Sequence, residues 1–174
     1  MLTRVIIKHS SKDRTPIFIL NTGLSIGMSP ENMPGNIIGD DYDGKDLLEF
    51  ISLVISSTNQ KDEYWTNGYT AKVVEKDGKN MIKIYFRLTD DYEPYYIAPE
   101  EFKEILEIYI REKKKFDEEP ELYKINLVKH GANVINFEEH KSDSEAYERA
   151  ISESENGVVI VKNAQEKAEL EAMR

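Results

Sequence analysis

The sequence predicts an α+β fold, a largely antiparallel sheet with helices packed on one face. Three observations carry this. β-rich segments come in pairs joined by short polar turns, amphipathic helical stripes separate the pairs, and no regular βαβ rhythm of a wound parallel sheet runs through the chain. The predicted order is ββ-α-ββ(β)-α-ββ-α-β-α.

Residues 2–8 (LTRVIIK) and 16–20 (PIFIL) are rich in β-branched and aromatic side chains, and the polar SSKDRT stretch between them predicts a hairpin. Residues 21–44 hold five Gly and two Pro, so no regular element is expected there. From Lys45 to Thr58, the side chains Leu47, Phe50, Ile51, Val54 and Ile55 recur at helical spacing, with Asp43 and Asp46 near the positive end of the helix dipole. Tyr64 to Val74 and Met81 to Leu88 read as a hairpin around Asp77-Gly78, a pair suited to the positive φ of a two-residue turn. In its second arm Ile82, Ile84 and Phe86 alternate with Lys83, Tyr85 and Arg87, the pattern of a sheet with one face packed and one wet.

Tyr95 to Ile97 reads as a short strand, and Pro99 opens a helix whose stripe is Phe102, Ile105, Leu106 and Tyr109. Glu100, Glu101 and Glu104 lie in its first turns and Arg111 and Lys113 to Lys115 near its end, complementing the dipole. Leu122 to Val128 and Asn133 to Phe137 read as two strands around His130-Gly131. Ser142 to Ser154 reads as a helix stopped by Asn156-Gly157, Val158 to Val161 as an apolar strand, and Ala164 to Met173 as a helical tail. Residues 1–137 form the expected main domain. Residues 138–174 form a helix-strand-helix element expected to pack on it.

The 174 residues include no cysteine, which removes disulfides, zinc ribbons, iron–sulfur clusters and thiol nucleophiles together. No stretch approaches the length of a bilayer span, and the first residues lack the apolar core and cleavage pattern of a secretory signal, so a cytoplasmic location is expected. Negative charge gathers at residues 40–49 (−4), 90–121 (−7) and 138–174 (−5), while the rest of the chain carries +6, for a net charge of −10. Such a field repels phosphate backbones and anionic lipids. The expected partner is therefore a basic protein, with neither direct nucleic-acid nor membrane binding.

The search for chemistry returns no cofactor, metal or catalytic motif. Aligning Gly44 with the glycine of a calcium loop puts Gly39 and Phe50 where carboxylates are needed. The glycines at 23, 27, 35 and 39 fit neither phosphate-binding spacing. His9, His130 and His140 lack helical ligand spacing, and no serine has a nucleophile-elbow context. Thirty-three acidic residues offer many carboxylate pairs and single out none. A binding protein is expected, not an enzyme.

Trp65 is expected in the core, while tyrosines around the central hairpin stand beside the acidic turn Thr89 to Glu93, a combination common at protein interfaces. The candidate partner-binding residues are Asp40, Asp41, Asp43, Tyr69, Asp90, Asp91, Tyr92, Glu93 and Tyr95. The run Tyr95-Tyr96-Ile97-Ala98-Pro99-Glu100-Glu101-Phe102 through Glu112-Lys113-Lys114-Lys115-Phe116, with the hairpin before it, resembles the small acidic immunity proteins that accompany bacterial polymorphic and contact-dependent toxins. That resemblance spans about residues 60–120 and implies a cytoplasmic inhibitor that occludes a toxin, often a basic nuclease; it assigns no residue a role. A phage-encoded nucleic-acid mimic directed at a host defence enzyme, an acidic secretion chaperone, and an enzyme with a carboxylate site stay open as alternatives.

Overall fold

Strand alternation and helical stripes sort the chain into two four-stranded sheets with helices packed against them. The computed structural model describes residues 4–8, 17–19, 27–41, 43–57, 61–140, 145–155 and 157–174. Sheet A has the order β2 (Ile17–Ile19), β1 (Arg4–Lys8), β8 (Val158–Lys162), β7 (Asn133–Asn136). β1 runs antiparallel to both neighbours, with Ile6 opposite Ile19 and Val159, whereas β7 and β8 are parallel with Val134 opposite Ile160. The parallel pair requires a crossover, which contains helix α6 (Ala146–Glu153). Sheet B is antiparallel throughout, in the order β3 (Glu63–Trp65), β4 (Tyr69–Lys76), β5 (Lys79–Phe86), β6 (Tyr95–Ile97).

The α+β class and the predominance of antiparallel pairing are as predicted. Several elements differ, each for a physical reason. Within the loop expected at 21–44, a 3-10 turn (Pro30–Asn32) leads into helix α1 (Met33–Asp40). Gly35 and Gly39 weaken its propensity, but Met33, Ile37 and Ile38 lie on one helical face and are fully buried, so tertiary packing decides. Residues 122–128, expected as a strand, belong to helix α4 (Pro120–Lys129). Their apolar run imitates a strand, yet Tyr123, Lys124 and Val128 are buried at helical spacing, Leu122 is left half in solvent, and Pro120 occupies the first turn. The first arm of the central hairpin is broken at Thr66–Gly68. There the Thr66 amide donates to the Tyr69 carbonyl and the Tyr69 amide to Thr66 Oγ1, folding β3 back on β4.

Helices α2 (Lys45–Ile55), α3 (Pro99–Glu118) and α7 (Ala164–Glu171) form close to where their stripes predict, with a single turn α5 (Phe137–His140) after β7. The expected SSKDRT connection, His9, Thr58 and the start of the helix expected from Ser142 lie outside the described residues. One core cluster joins Leu47, Phe50 and Ile51 of α2, Ile82 and Ile84 of β5, Phe102 to Tyr109 of α3, and Val134, Ile160 and Leu170 of the C-terminal half.

At the end of β8, the buried Lys162 ammonium pairs with Glu166 of α7. Glu166 also closes a reciprocal cap: its amide donates to Asn163 Oδ1 at 2.8 Å and its Oε1 accepts from Asn163 Nδ2 at 2.8 Å. The hydrogen bond from Lys162 holds the Glu166 carboxyl below its ordinary value of 4.5. A lowered folded-state pKa adds stability above the unfolded value, which is lost as the pH falls through the lowered one. Glu166→Gln keeps the cap and removes the charge beside a buried ammonium, so it should destabilise the fold by about 1–3 kcal/mol at neutral pH. Urea unfolding should show that difference closing in acid below the lowered pKa of Glu166.

Candidate functional site

Asp40 and Tyr92, more than fifty residues apart in the chain, both lie beside Tyr69 at one end of sheet B, one from each of the acidic segments 40–46 and 90–93. Helix α1 ends in Asp40 and Asp41, where the negative end of the dipole disfavours carboxylates. Donors from elsewhere hold them. Asp40 Oδ2 accepts from the Gly68 amide at 2.9 Å, in the turn between β3 and β4. Asp41 accepts from the Tyr64 hydroxyl in a short hydrogen bond and from the Leu47 amide at 3.2 Å, in the first turn of α2. Asp43 Oδ1 accepts from the Lys45 amide at 3.0 Å. These two carboxylates thus satisfy amide donors that the start of α2 would otherwise leave free.

From the other side, the Arg87 amide donates to the Gly68 carbonyl at 2.8 Å, which brings the segment after β5 onto the same turn. Phe86 packs edge-on against both Tyr69 and Tyr92, with ring centroids 5.5 and 5.7 Å apart. Burial raises the Tyr69 hydroxyl above its ordinary pKa, and the neighbouring Asp40 and Tyr92 add to the effect. Asp90, Asp91 and Glu93 flank Tyr92 and are exposed, with the Asp91 amide held by Thr89 Oγ1.

The proposed partner residues accordingly fall into three groups. Asp40, Asp90, Asp91, Tyr92 and Glu93 are exposed on this end. Asp41 and Asp43 are half-buried and cap α2. Tyr69 and Tyr95 are corrections: they are 8% and 4% exposed and belong to the core, because sheet alternation turns both inward beside Ala71 and Ile84. Trp65 is a correction in the opposite sense. It sits on edge strand β3 at 58% exposure, because the turn at Thr66–Gly68 sets it on the outer face of the sheet.

A groove of about 1160 Å³ lies between α2 and β3, bounded by Asp46, Glu49 and Leu53 of the helix and by Asp62, Glu63 and Trp65. Lys61 and Lys72 also reach it, so four carboxylates face two ammonium groups. Leu53, Trp65, Leu88 and Tyr92, large apolar side chains exposed by at least 40%, are carried by α2, β3 and the segment following β5. Sequence reasoning missed Glu49, Leu53, Asp62 and Glu63. The Asn67-Gly68 turn was the available signal, since it makes β3 an edge strand. Among the described residues no group of three or more His, Cys, Asp or Glu is placed to hold a metal ion, and no helix is long and apolar enough to cross a membrane.

Burial raises the Asp41 carboxyl above 3.8, against the lowering effect of its bonds to Tyr64 and Leu47. A raised folded-state pKa means that the contribution of Asp41 is greatest below 3.8 and declines as the pH rises through the raised value. Tyr64→Phe removes a donor to the ionised form, so it should destabilise the fold by about 1–3 kcal/mol at neutral pH. Denaturant titrations across pH should show the gap to the parent protein narrowing once Asp41 is protonated. Comparison of the chain with family models, curated proteins and solved structures found no match to any of the three.

Proposed function

We propose that this chain is a cytoplasmic binding protein that inhibits a basic partner protein by occlusion, in the manner of the immunity proteins that neutralise bacterial toxins. One observation carries the reading: Asp40 of one acidic segment and Tyr92 of another, remote in sequence, flank the same Gly68–Tyr69 corner, with exposed aromatic and aliphatic side chains on the elements around it. Carboxylates together with the exposed side chains of Trp65, Tyr92, Leu53 and Leu88 match the composition of interfaces that trap a cationic surface, with apolar anchors for affinity and charge for steering. On a nucleic-acid-handling partner, Asp90, Asp91 and Glu93 would stand where phosphates are held.

Electrostatic steering acts mainly on the association rate and fades with salt. Co-expression with the product of the adjacent gene should rescue growth and yield a stable complex. Asp90→Lys with Asp91→Lys, both exposed, should slow association by about tenfold at low salt. Stopped-flow mixing should show that difference fading at high salt, where charges are screened. Absence of any complex, or an association rate indifferent to these substitutions, would overturn the reading.

A further inference from the structure

Alternation across sheet B places a second kind of chemistry on the face turned away from the core. The inner face carries Tyr69, Ala71, Ile82, Ile84, Tyr95 and Ile97, all buried, and receives α1 and α3. The side chains between them point the other way. On that outer face the register sets Trp65, Thr70 and Tyr85 in one cross-strand row, and Glu63, Lys72, Lys83 and Tyr96 in the next. Lys76 and Lys79 pair at the hairpin end, and Arg87 continues the outward series past β5. Five cations therefore share a sheet face with one strand carboxylate, Glu63, in a chain whose net charge is −10.

None of these five cations forms an ion pair among the described residues, whereas Lys103, Lys113, Lys124 and Lys162 all do. Three of the five lie over aromatic rings instead. Lys76 Nζ is 3.8 Å from the Tyr96 centroid, Lys83 Nζ is 5.1 Å from that of Tyr85, and Arg87 Cζ is 4.7 Å from that of Trp65. Arg87 also donates to the carbonyls of Thr66 and Asn67 at 3.1 and 3.4 Å, while no carboxylate among the described residues neutralises any of the five. Aromatic platforms alternating with cations free of carboxylates on a sheet are the arrangement that stacks unpaired bases and neutralises the phosphates between them.

We infer that the outer face of sheet B binds single-stranded nucleic acid, with bases stacking on Trp65, Tyr85 and Tyr96 and with Lys72, Lys76, Lys79, Lys83 and Arg87 meeting the phosphates. The long lysine and arginine stems let each cation leave its ring for a phosphate as a base takes its place. This face is opposite the buried one; Trp65, Glu63 and Lys72 also line the acidic groove beside α2, whereas Lys76, Lys79, Lys83, Tyr85 and Tyr96 lie outside it, so the variants on those residues separate this inference from the occlusion reading. The chain's overall acidity argues against nucleic acid only where the charge is uniform, and here it is segregated.

Trp65 is the sole tryptophan, so its fluorescence reports directly on the platform. The full chain is titrated at low salt with fluorescein-labelled oligouridylate and oligothymidylate of about 12 nucleotides, within the span of one sheet platform. Saturable binding with quenching of Trp65 is expected, weakening with salt at a log–log slope of about 2–3.5 for three to five phosphates. Lys72→Glu with Lys83→Glu should weaken binding at least about tenfold, and Trp65→Ala and Tyr96→Ala each about tenfold. Lys114→Glu, exposed on α3, should leave it unchanged. No saturable binding overturns the inference, as does binding indifferent to the face variants. Equal affinity for a duplex would show that stacking plays no part, and equal affinity for polyglutamate would reassign the face to acidic peptides; either result overturns it too.

Discussion

Phe102, Ile105, Leu106 and Tyr109 are fully buried along one side of α3, and the placement of most other elements depends on covering that stripe. The helix is 20 residues long, about 30 Å, so a single partner cannot cover it. Its first turns pack against α2 and sheet B, and farther along Phe116 meets Tyr123 of α4 edge-on at 5.8 Å. Helix α4 in turn contacts α7, and α7 lies on β7 and β8. Each large apolar side chain so buried contributes about 1.5–3 kcal/mol. Burial also pushes the Tyr109 hydroxyl up to about 12.

Because α1 and α3 occupy the inner face of sheet B, its other face is left to the cations and rings of alternate positions. At the sheet's end, where α1 gives way to α2, Asp41 and Asp43 bond the first amides of α2 and Asp40 bonds the Gly68 amide. The result is one sheet with opposite chemistry in two places: carboxylates around the turn at Gly68, and cations across the outer surface. A net charge of −10 describes neither. The two proposed surfaces adjoin at edge strand β3, where Glu63 and Trp65 belong to both.

The acidic residues also divide by task. Asp41 and Asp43 satisfy the amides of Leu47 and Lys45, and Glu166 neutralises a buried ammonium while capping α7. Those carboxylates are structural wherever they are also near a candidate surface. Asp90, Asp91 and Glu93 lie on a connecting segment with exposed side chains. A charged surface can be altered there at little cost to the fold.

What the sequence determined by itself was local. The stripes of α2 and α3, the turn at Asp77-Gly78, and the alternation of Ile82, Ile84 and Phe86 with Lys83, Tyr85 and Arg87 follow from side-chain period and turn chemistry, so they were legible in order and type. Residues 33–40 and 122–128 were not, because glycine and an apolar run contradict helix locally while burial of Met33, Ile37, Tyr123 and Val128 imposes it. Of the candidate site, the exposed acids after β5 were legible, whereas Tyr69, Tyr95 and Trp65 were misplaced. Their facing depends on where β3 ends and which side of the sheet α3 covers. Tertiary structure alone decided the division into two sheets, the approach of Asp40 and Tyr92 to one corner, and the gathering of cations on the outer face of sheet B, because each depends on contacts between segments that sequence spacing does not relate.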